Sequence, residues 1–567
     1  MNSGTRYRLV IASLSVIAVL VVSSTLMMVS RAFTPLPYYD SWGLYPNAIV
    51  DLKTLFHGHN EHVIATIKVC FWLDQILTSS SGLFSIGCIL AVCAVPAIAI
   101  YLLVRTHGRS IGADPRENAI LGLTLLSLGY AGVQFTNLVW QFQIGFVSAY
   151  ALSLAALCCQ AASMSASKKP SSCAWLAAAL VLATLASYGL FGGTLVWPAM
   201  MVFAWLGRRK VQLGVVLIVG AIVALPYLIN LLSAPIGHGI GEGKVVKFLL
   251  AWLGSPAGGM SDTNYLPLYK ITVRQEVGVA ALFGLLTLGA FGWLSLKVTE
   301  LLGRTPTERS VLLLMPLWLF CWIVLVSGLL AAIGRSYLPL NEAISSRYTT
   351  PPLIMWACMC GLWIQLRRMN KVAPGRFKIV MLLISIAILA GQADRLAQGS
   401  LHGARMAQAE SAALNDVPDL EALGAVYPTP ETVIPFVGRL RNARVSIFRP
   451  NAWPGLAESV SGWSTSHSSC QIKISHAPTA YGKSFWRAAL LTPVPDRSWR
   501  LVYILDHQVV GLGVPENPRG LHLFDNGASQ WIGYAPESSI DGKSGEFALA
   551  SITQKAVRLC DWEQGAK

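Results

Sequence analysis

Charge is scarce in this sequence. Asp, Glu, Lys and Arg make up 13% of its 567 residues, about half the ~25% of an ordinary soluble domain. Hydrophobic residues make up 54%. Together these values exclude a single water-soluble fold for the whole chain. Acidic residues are the scarcer sign, 28 against 43 basic ones, for a net charge of +15. The basic excess sits in short clusters between apolar runs, and no nucleic-acid-binding signature accompanies it, so nucleic acid is not an expected partner. No solenoid period and no inverted duplication is visible, which speaks against repeat proteins and paired-half transporters. Cysteine is almost missing from the polar C-terminal part, where only Cys470 and Cys560 of the eleven lie. The other nine lie in or beside apolar segments and read as small buried hydrophobes.

What is present is a series of long apolar runs, several of more than about 18 residues, the length that crosses a bilayer. Eleven spans follow: roughly 9–30, 83–104, 118–133, 144–164, one from near Cys173, one ending at Arg208, then 212–232, 277–296, 311–332, 351–366 and 379–391. The first follows Arg6 and Arg8 and lacks a small-x-small cleavage site before Arg31, so it reads as a retained anchor. With the N-terminus inside, every second turn carries a basic cluster, at 105–109, 168–169, 208–210, 297–309 and 367–378. SYGLFGG at 187–193 is also compatible with a re-entrant turn, which alters the count by about two. The expected arrangement is multi-pass in a membrane, with the N-terminus cytoplasmic and the C-terminal part extracytoplasmic.

Outward segments carry short amphipathic patterns. LYPNAIVDLKTLFHG reads as lying on the membrane, and NEHVIATIKVCFWLDQIL as a helix with Asn60 as N-cap. KVVKFLLAWLGSP reads as another. Near Leu396 the composition changes. Residues 400–425 look helical and linker-like. Past Val433, RVSIF, CQIKIS, WRAALLT, WRLVYILD, QVVGLGV, QWIGYA and EFALASIT read as strands of a β-sandwich or jelly roll. The expected division is 1–395 membrane domain, 396–432 helical linker and 433–567 β-rich domain. The lone pair Cys470 and Cys560 suggests a disulfide in an oxidising compartment.

Residues that suit chemistry gather outside the spans. The stretch 37–62 holds Asp40 and Glu61 with Tyr38, Tyr39, Trp42, His57, His59 and His62. A carboxylate there suits a general base, although an interfacial aromatic belt has the same composition. HGHNEH invites a divalent metal, but HxH-x-x-H is no settled zinc spacing, so no metal or other cofactor is expected. Arg335 and Arg347 bracket the short turn GRSYLPLNEAISSRYTT, where the positive-inside rule disfavours them. Phosphate gives guanidinium a reason to be there, whether on a substrate or a lipid headgroup. Tyr348 adjoins this pair, and Lys244 and Lys247 are candidates to assist. In NLVWQFQIGF, Asn137, Trp140, Gln141 and Gln143 suit sugar hydroxyls and ring faces, or hydrogen bonding between spans.

DSW after the first span, NEH before the second, WQFQ near the third and fourth, and SSRYTT before a later one carry a resemblance. They resemble large bacterial membrane proteins similar to the GT-C superfamily of glycosyltransferases, over roughly 1–395. The tail, with SGW and QVVGLGV, looks similar to β-sandwich modules appended to such proteins. The resemblance implies a GT-C-like helical bundle that moves a sugar from a polyprenyl-phosphate donor to an envelope glycan, lipid-linked glycan or protein acceptor. By position it puts the acidic residue of the first outward loop at Asp40. Many members show two adjacent acidic residues there. Here Ser41 follows, leaving Glu61 as the second carboxylate or none. In this scheme Asp40 is the base of an inverting transfer, and Glu61 or His62 orients the acceptor. Tyr39, Trp42, His59, His62, Trp140, Gln141 and Gln143 contact sugar or acceptor. Arg335, Arg347, Tyr348, Lys244 and Lys247 hold the donor phosphate. Such a transfer needs Asp40 and the two arginines to share one pocket. The competing functions are a transporter or flippase of a lipid-linked glycan, and an O-antigen ligase or polymerase.

Overall fold

The structure is a computed structural model describing residues 3–49, 51–59, 62–233, 244–261, 273–305, 307–369, 377–449, 459–479, 481–492, 494, 499–516, 530–541, 544–551 and 553–564. The chain forms two compact units. One comprises Met1–Thr25, Ile49–Val69 and Ile86–Leu396; the other comprises Leu26–Ala48, Cys70–Ser85 and Ala397–Lys567.

The first unit is helical. Among the described residues, nine helices of the chain are long and apolar enough to cross a membrane. Each of the eleven apolar runs is helical, but two fall short of that standard. Phe191–Leu206 is too short. Thr350–Arg368 is diluted by Pro351, Pro352, Gln365 and two arginines. Several helices start on chemistry written in the sequence. Asp114 caps Pro115–Gly129 by accepting from the Arg116 amide at 2.9 Å, and proline occupies the first turn of Pro115–Gly129, Lys169–Ser187 and Met315–Arg335. Met315–Arg335 runs through the middle, 83% buried over its apolar window, whereas Lys169–Ser187 and Lys210–Ile229 are 22% buried. The outer helices turn apolar residues such as Val211, Ile218, Ile222 and Leu296 outward. A patch of that kind is costly in water and favourable in lipid. The short helix Val245–Leu253 lies tight on Val273–Arg304. A Cβ on Gly254 would strike the Ala280 carbonyl, and one on Gly284 the Leu250 carbonyl, so glycine permits the approach.

The second unit joins the first loop to the C-terminal third. Gly399 lets the long helix Phe377–Leu414 approach Met28 of the first helix, where a Cβ would lie 2.9 Å from the Met28 carbonyl. That helix is continuous, so the expected last span and the first part of the expected linker are one element of 38 residues. Just past its end stands Asn415, whose side chain accepts from the Leu512 amide (2.7 Å) and donates to the Leu512 carbonyl (2.9 Å). Lys483 Nζ donates to the Asn415 carbonyl at 2.6 Å, and Tyr534 Oη to Asp419 at 2.6 Å.

The β domain departs from a sandwich. Eight strands form one sheet in the order Gln508–Leu512, Trp499–Leu505, Glu546–Ser551, Ala556–Gln564, Ser464–Pro478, Lys483–Leu490, Gln530–Pro536 and Val514–Pro515. The first and last of these are joined through Gly513, so the sheet curls until it is nearly closed. Strong coiling of one sheet buries its concave face by itself, which removes the need for a second sheet. Trp486, Tyr503 and Phe547 fill that face, with Trp486 and Tyr503 edge-on to Phe547. The middle pair, Ala556–Gln564 against Ser464–Pro478, is parallel, and the Cys470–Cys560 disulfide joins it. Closing a loop of 90 residues contributes roughly 4–5 kcal/mol on a chain-entropy account. The run RVSIF, expected as a strand, ends in a 3-10 turn at Ser446–Phe448. The Ser446 amide donates to the Ser79 carbonyl at 2.8 Å, so tertiary pairing overrides its β propensity.

Candidate functional site

The stretch 37–62 divides at Ile49 between the two units. In the second unit, Tyr39–Gly43 form a 3-10 turn entered through Tyr39 at φ 46°. A tyrosine in that left-handed region is strained by about 1–3 kcal/mol, and such strain persists only where surroundings over-determine it. Here the Tyr39 amide donates to the Val426 carbonyl at 2.9 Å. The Tyr39 ring lies 4.5 Å from Tyr38 and 6.3 Å from Tyr427, and Tyr38 meets His402 edge-on at 5.3 Å. Burial, then the neighbouring Tyr39, pushes the Tyr38 phenol up, with Arg405 opposing. Asp40 is therefore carried, half-buried, on a turn fixed by aromatic packing. Trp42 is 2% exposed and packs on Phe436, so it is part of the core and offers no open sugar platform.

A buried carboxylate holds the loop from below. Asp74 is inaccessible and accepts from Tyr45 Oη (2.7 Å), Thr78 Oγ1 (2.8 Å) and the Gly82 and Phe84 amides (2.9 Å each). Those donors keep it satisfied without a cation. Burial, and then the Asp74 charge, pushes the Tyr45 phenol up.

In the first unit, His59 and His62 pair across the two-residue strands Gly58–His59 and His62–Val63. Lys68 fastens this segment. Its Nζ donates to the Thr54 carbonyl at 2.7 Å and the His57 carbonyl at 2.8 Å, and burial lowers its pKa. The His59 ring meets Phe142 at 5.5 Å, and Phe142 stacks on Trp140 at 5.6 Å. Trp140, Gln141 and Gln143 are all buried. Asn137 Nδ2 donates to the Arg347 carbonyl (2.9 Å) and to Thr350 Oγ1 (2.7 Å), and Thr350 donates to Gln134 Oε1 (2.7 Å). The amide oxygens of Asn137 and Gln141 have no donor among the described residues. Each such buried oxygen costs about 1–3 kcal/mol unless a hydroxyl or water reaches it.

The arginines meet on one ring. Arg335 donates to Tyr348 Oη and lies 5.4 Å from the ring centroid, while Arg347 lies over the same ring at 5.0 Å. Glu342 pairs with Arg347 at 3.1 Å. Two cations thus share one aromatic face, and only Arg347 has a carboxylate partner among the described residues, leaving net positive charge. Burial raises the Tyr348 phenol and the two arginines oppose it. Beside this cluster a narrow apolar hollow of about 20 Å³ runs among Cys93, Leu128, Val147 and Leu353 to Gln134 and Thr350. That is room for about one water and too little for a prenyl chain.

Of the expected residues, His59, His62, Trp140, Gln141, Gln143, Arg335, Arg347 and Tyr348 fall in one unit, where His59 and Trp140 meet through Phe142 and the two arginines meet on Tyr348. Asp40, Tyr39 and Trp42 belong to the other. Lys244 and Lys247 are exposed and make no ion pair among the described residues. Glu61 lies outside the described residues. Among those described, no group of three or more His, Cys, Asp or Glu is placed to hold a metal ion. Sequence reasoning missed Gln134, Thr350, Glu342 and Lys68, and in the second unit His402, Arg405 and Tyr427. Only the short SSRYTT motif, which ends at Thr350, offered a signal. No protein-family model matches the chain, and no curated protein matches it either.

Proposed function

We propose that the protein is a membrane glycosyltransferase that moves a sugar from a polyprenyl-phosphate donor to an extracytoplasmic acceptor. The observation that carries this is the pair Arg335 and Arg347 on Tyr348, two guanidiniums on one ring with a single carboxylate, on Arg347. Guanidinium pairs with phosphate bidentately, and a surplus of positive charge at a partly buried site is what a departing phosphate needs. Buried amide oxygens on Asn137 and Gln141, beside the Trp140 ring, suit sugar hydroxyls. Apolar helices supply a lipid-soluble setting for the donor.

The chemistry needs one base. The acceptor hydroxyl oxygen bonds to the anomeric carbon. The carbon–oxygen bond to phosphate breaks, and the phosphate leaves with the electron pair. The hydroxyl proton passes to a carboxylate, a role assigned to Asp40. Two carboxylates at fixed separation, which hydrolases use, are not required. GT-C membership, the inner membrane and an outward C-terminal domain belong to the same proposal.

The test uses membranes containing the full chain and a panel of radiolabelled polyprenyl-phosphate hexoses and pentoses. Asp40→Asn is expected to lower transfer at least 100-fold at unchanged expression. Transfer retained in that variant rejects Asp40 as the base.

A further inference from the structure

Beside the proposed base, the second unit contains an open groove of about 310 Å³ between residues 43–47 and the helix Val433–Ala443. That volume is at the low end of small-ligand sites, roughly 300–1,000 Å³. Its lining is mixed. Tyr45 and Pro46 supply apolar surface, Asn47 and Asn442 supply amides, and Arg439 supplies a cation. Tyr45 is immobilised by its hydrogen bond to Asp74, so that wall is rigid.

Arg439 is the informative member. Its guanidinium lies over the Phe436 ring at 4.1 Å, and Phe436 packs on buried Trp42. The stack fixes the plane of the fork, and Arg439 is exposed. Among the described residues Arg439 makes no ion pair. Its helix neighbour Arg441 takes both oxygens of Asp416, at 2.6 and 2.7 Å. The groove thus holds one positioned, uncompensated cation, two amides and a small apolar wall.

We infer that this groove binds a carboxylate-bearing saccharide, a uronic acid unit of the acceptor glycan. Arg439 pairs with the carboxylate, Asn47 and Asn442 meet ring hydroxyls, and Pro46 and Tyr45 take the apolar face of the sugar. One arginine fork matches one carboxylate in charge and geometry. The assignment rests on the first loop serving glycosyl transfer.

The experiment is equilibrium binding to the full chain in phosphatidylcholine nanodiscs, with tri-galacturonate, neutral maltotriose and inorganic phosphate as probes. Saturable binding of tri-galacturonate, at least tenfold tighter than maltotriose, is expected. Arg439→Gln is expected to weaken it at least tenfold and Arg439→Lys by less. Asn442→Ala, at another exposed position, is expected to weaken the acidic and neutral sugars alike. Equal binding of the two sugars, or an unchanged affinity in Arg439→Gln, overturns the assignment. So does full displacement by inorganic phosphate or by phosphatidylglycerol in the disc, which would make the groove a simple anion or headgroup site. Binding is read without any transfer step, so transfer retained in Asp40→Asn, which rejects the proposed base, leaves this result standing, and the reverse also holds.

Discussion

The helix Thr350–Arg368 has an arginine pair near each end, and the two pairs are treated in opposite ways. At its C-terminal end Arg367 and Arg368 both bond Glu117. Arg368 also donates to Asn118 Oδ1 at 2.9 Å and to the Val104 carbonyl at 3.2 Å. All three charged side chains there are 16% exposed or less. Just before its N-terminus, Arg347 and Glu342 are about one-third exposed, and Tyr348 stands where a second carboxylate would otherwise balance Arg335. Nineteen residues of helix span about 28 Å, close to the ~30 Å of a bilayer core. Both ends set two arginines against one glutamate; at the C-terminal end both guanidiniums bond it and all three side chains are buried, whereas at the N-terminal end only Arg347 reaches it and the pair is a third exposed. A buried, shared network reads as structure and a partly exposed one as a candidate binding site.

The largest effect that would break this contrast is at Glu117. Glu117→Ala leaves two buried arginines without a counter-charge and should cost about 3–5 kcal/mol, seen as lost folded protein in a detergent melting assay. A melting temperature near wild type would mean the pair is solvated and the contrast false. Next come Arg335→Gln and Arg347→Gln. Each should change stability by less than about 1 kcal/mol, yet lower transfer from polyprenyl-phosphate sugar roughly 100-fold. Equal losses of stability and transfer would make this end structural too. The smallest effect is at Glu342. Glu342→Gln should alter stability by about 0–1 kcal/mol, because the pair is exposed and screened, and should tighten anion binding slightly by freeing Arg347. Weaker binding would show that Glu342 orients the guanidinium.

Much of this was legible. Apolar length marked eleven helices, and arginines in a turn where orientation rules disfavour them marked Arg335 and Arg347. Their partners were less so. Tyr348 was noted only as a neighbour, and its role as a shared ring depends on Met315–Arg335 ending beside the 346–348 turn. Gln134 and Thr350 are 216 residues apart, and no local pattern announces such a bond. The first loop was readable as chemistry but not as architecture. Its turn at Tyr39 is held by Val426, a residue that looked like linker. Strand positions were visible as alternating runs, whereas partner choice was not. A parallel pair between 464–478 and 556–564 leaves no mark on either segment alone.

That pair sits at the centre of the sheet. Three strands lie on one side of Ala556–Gln564, and four, beginning with Ser464–Pro478, on the other. The strand that completes the sheet between them is the eighth in chain order, so until it pairs the other seven are joined only through Gly513 and leave two open edges. A chaperone that shields those edges, or a protease that trims the final strand, acts on the whole domain through its last dozen or so residues.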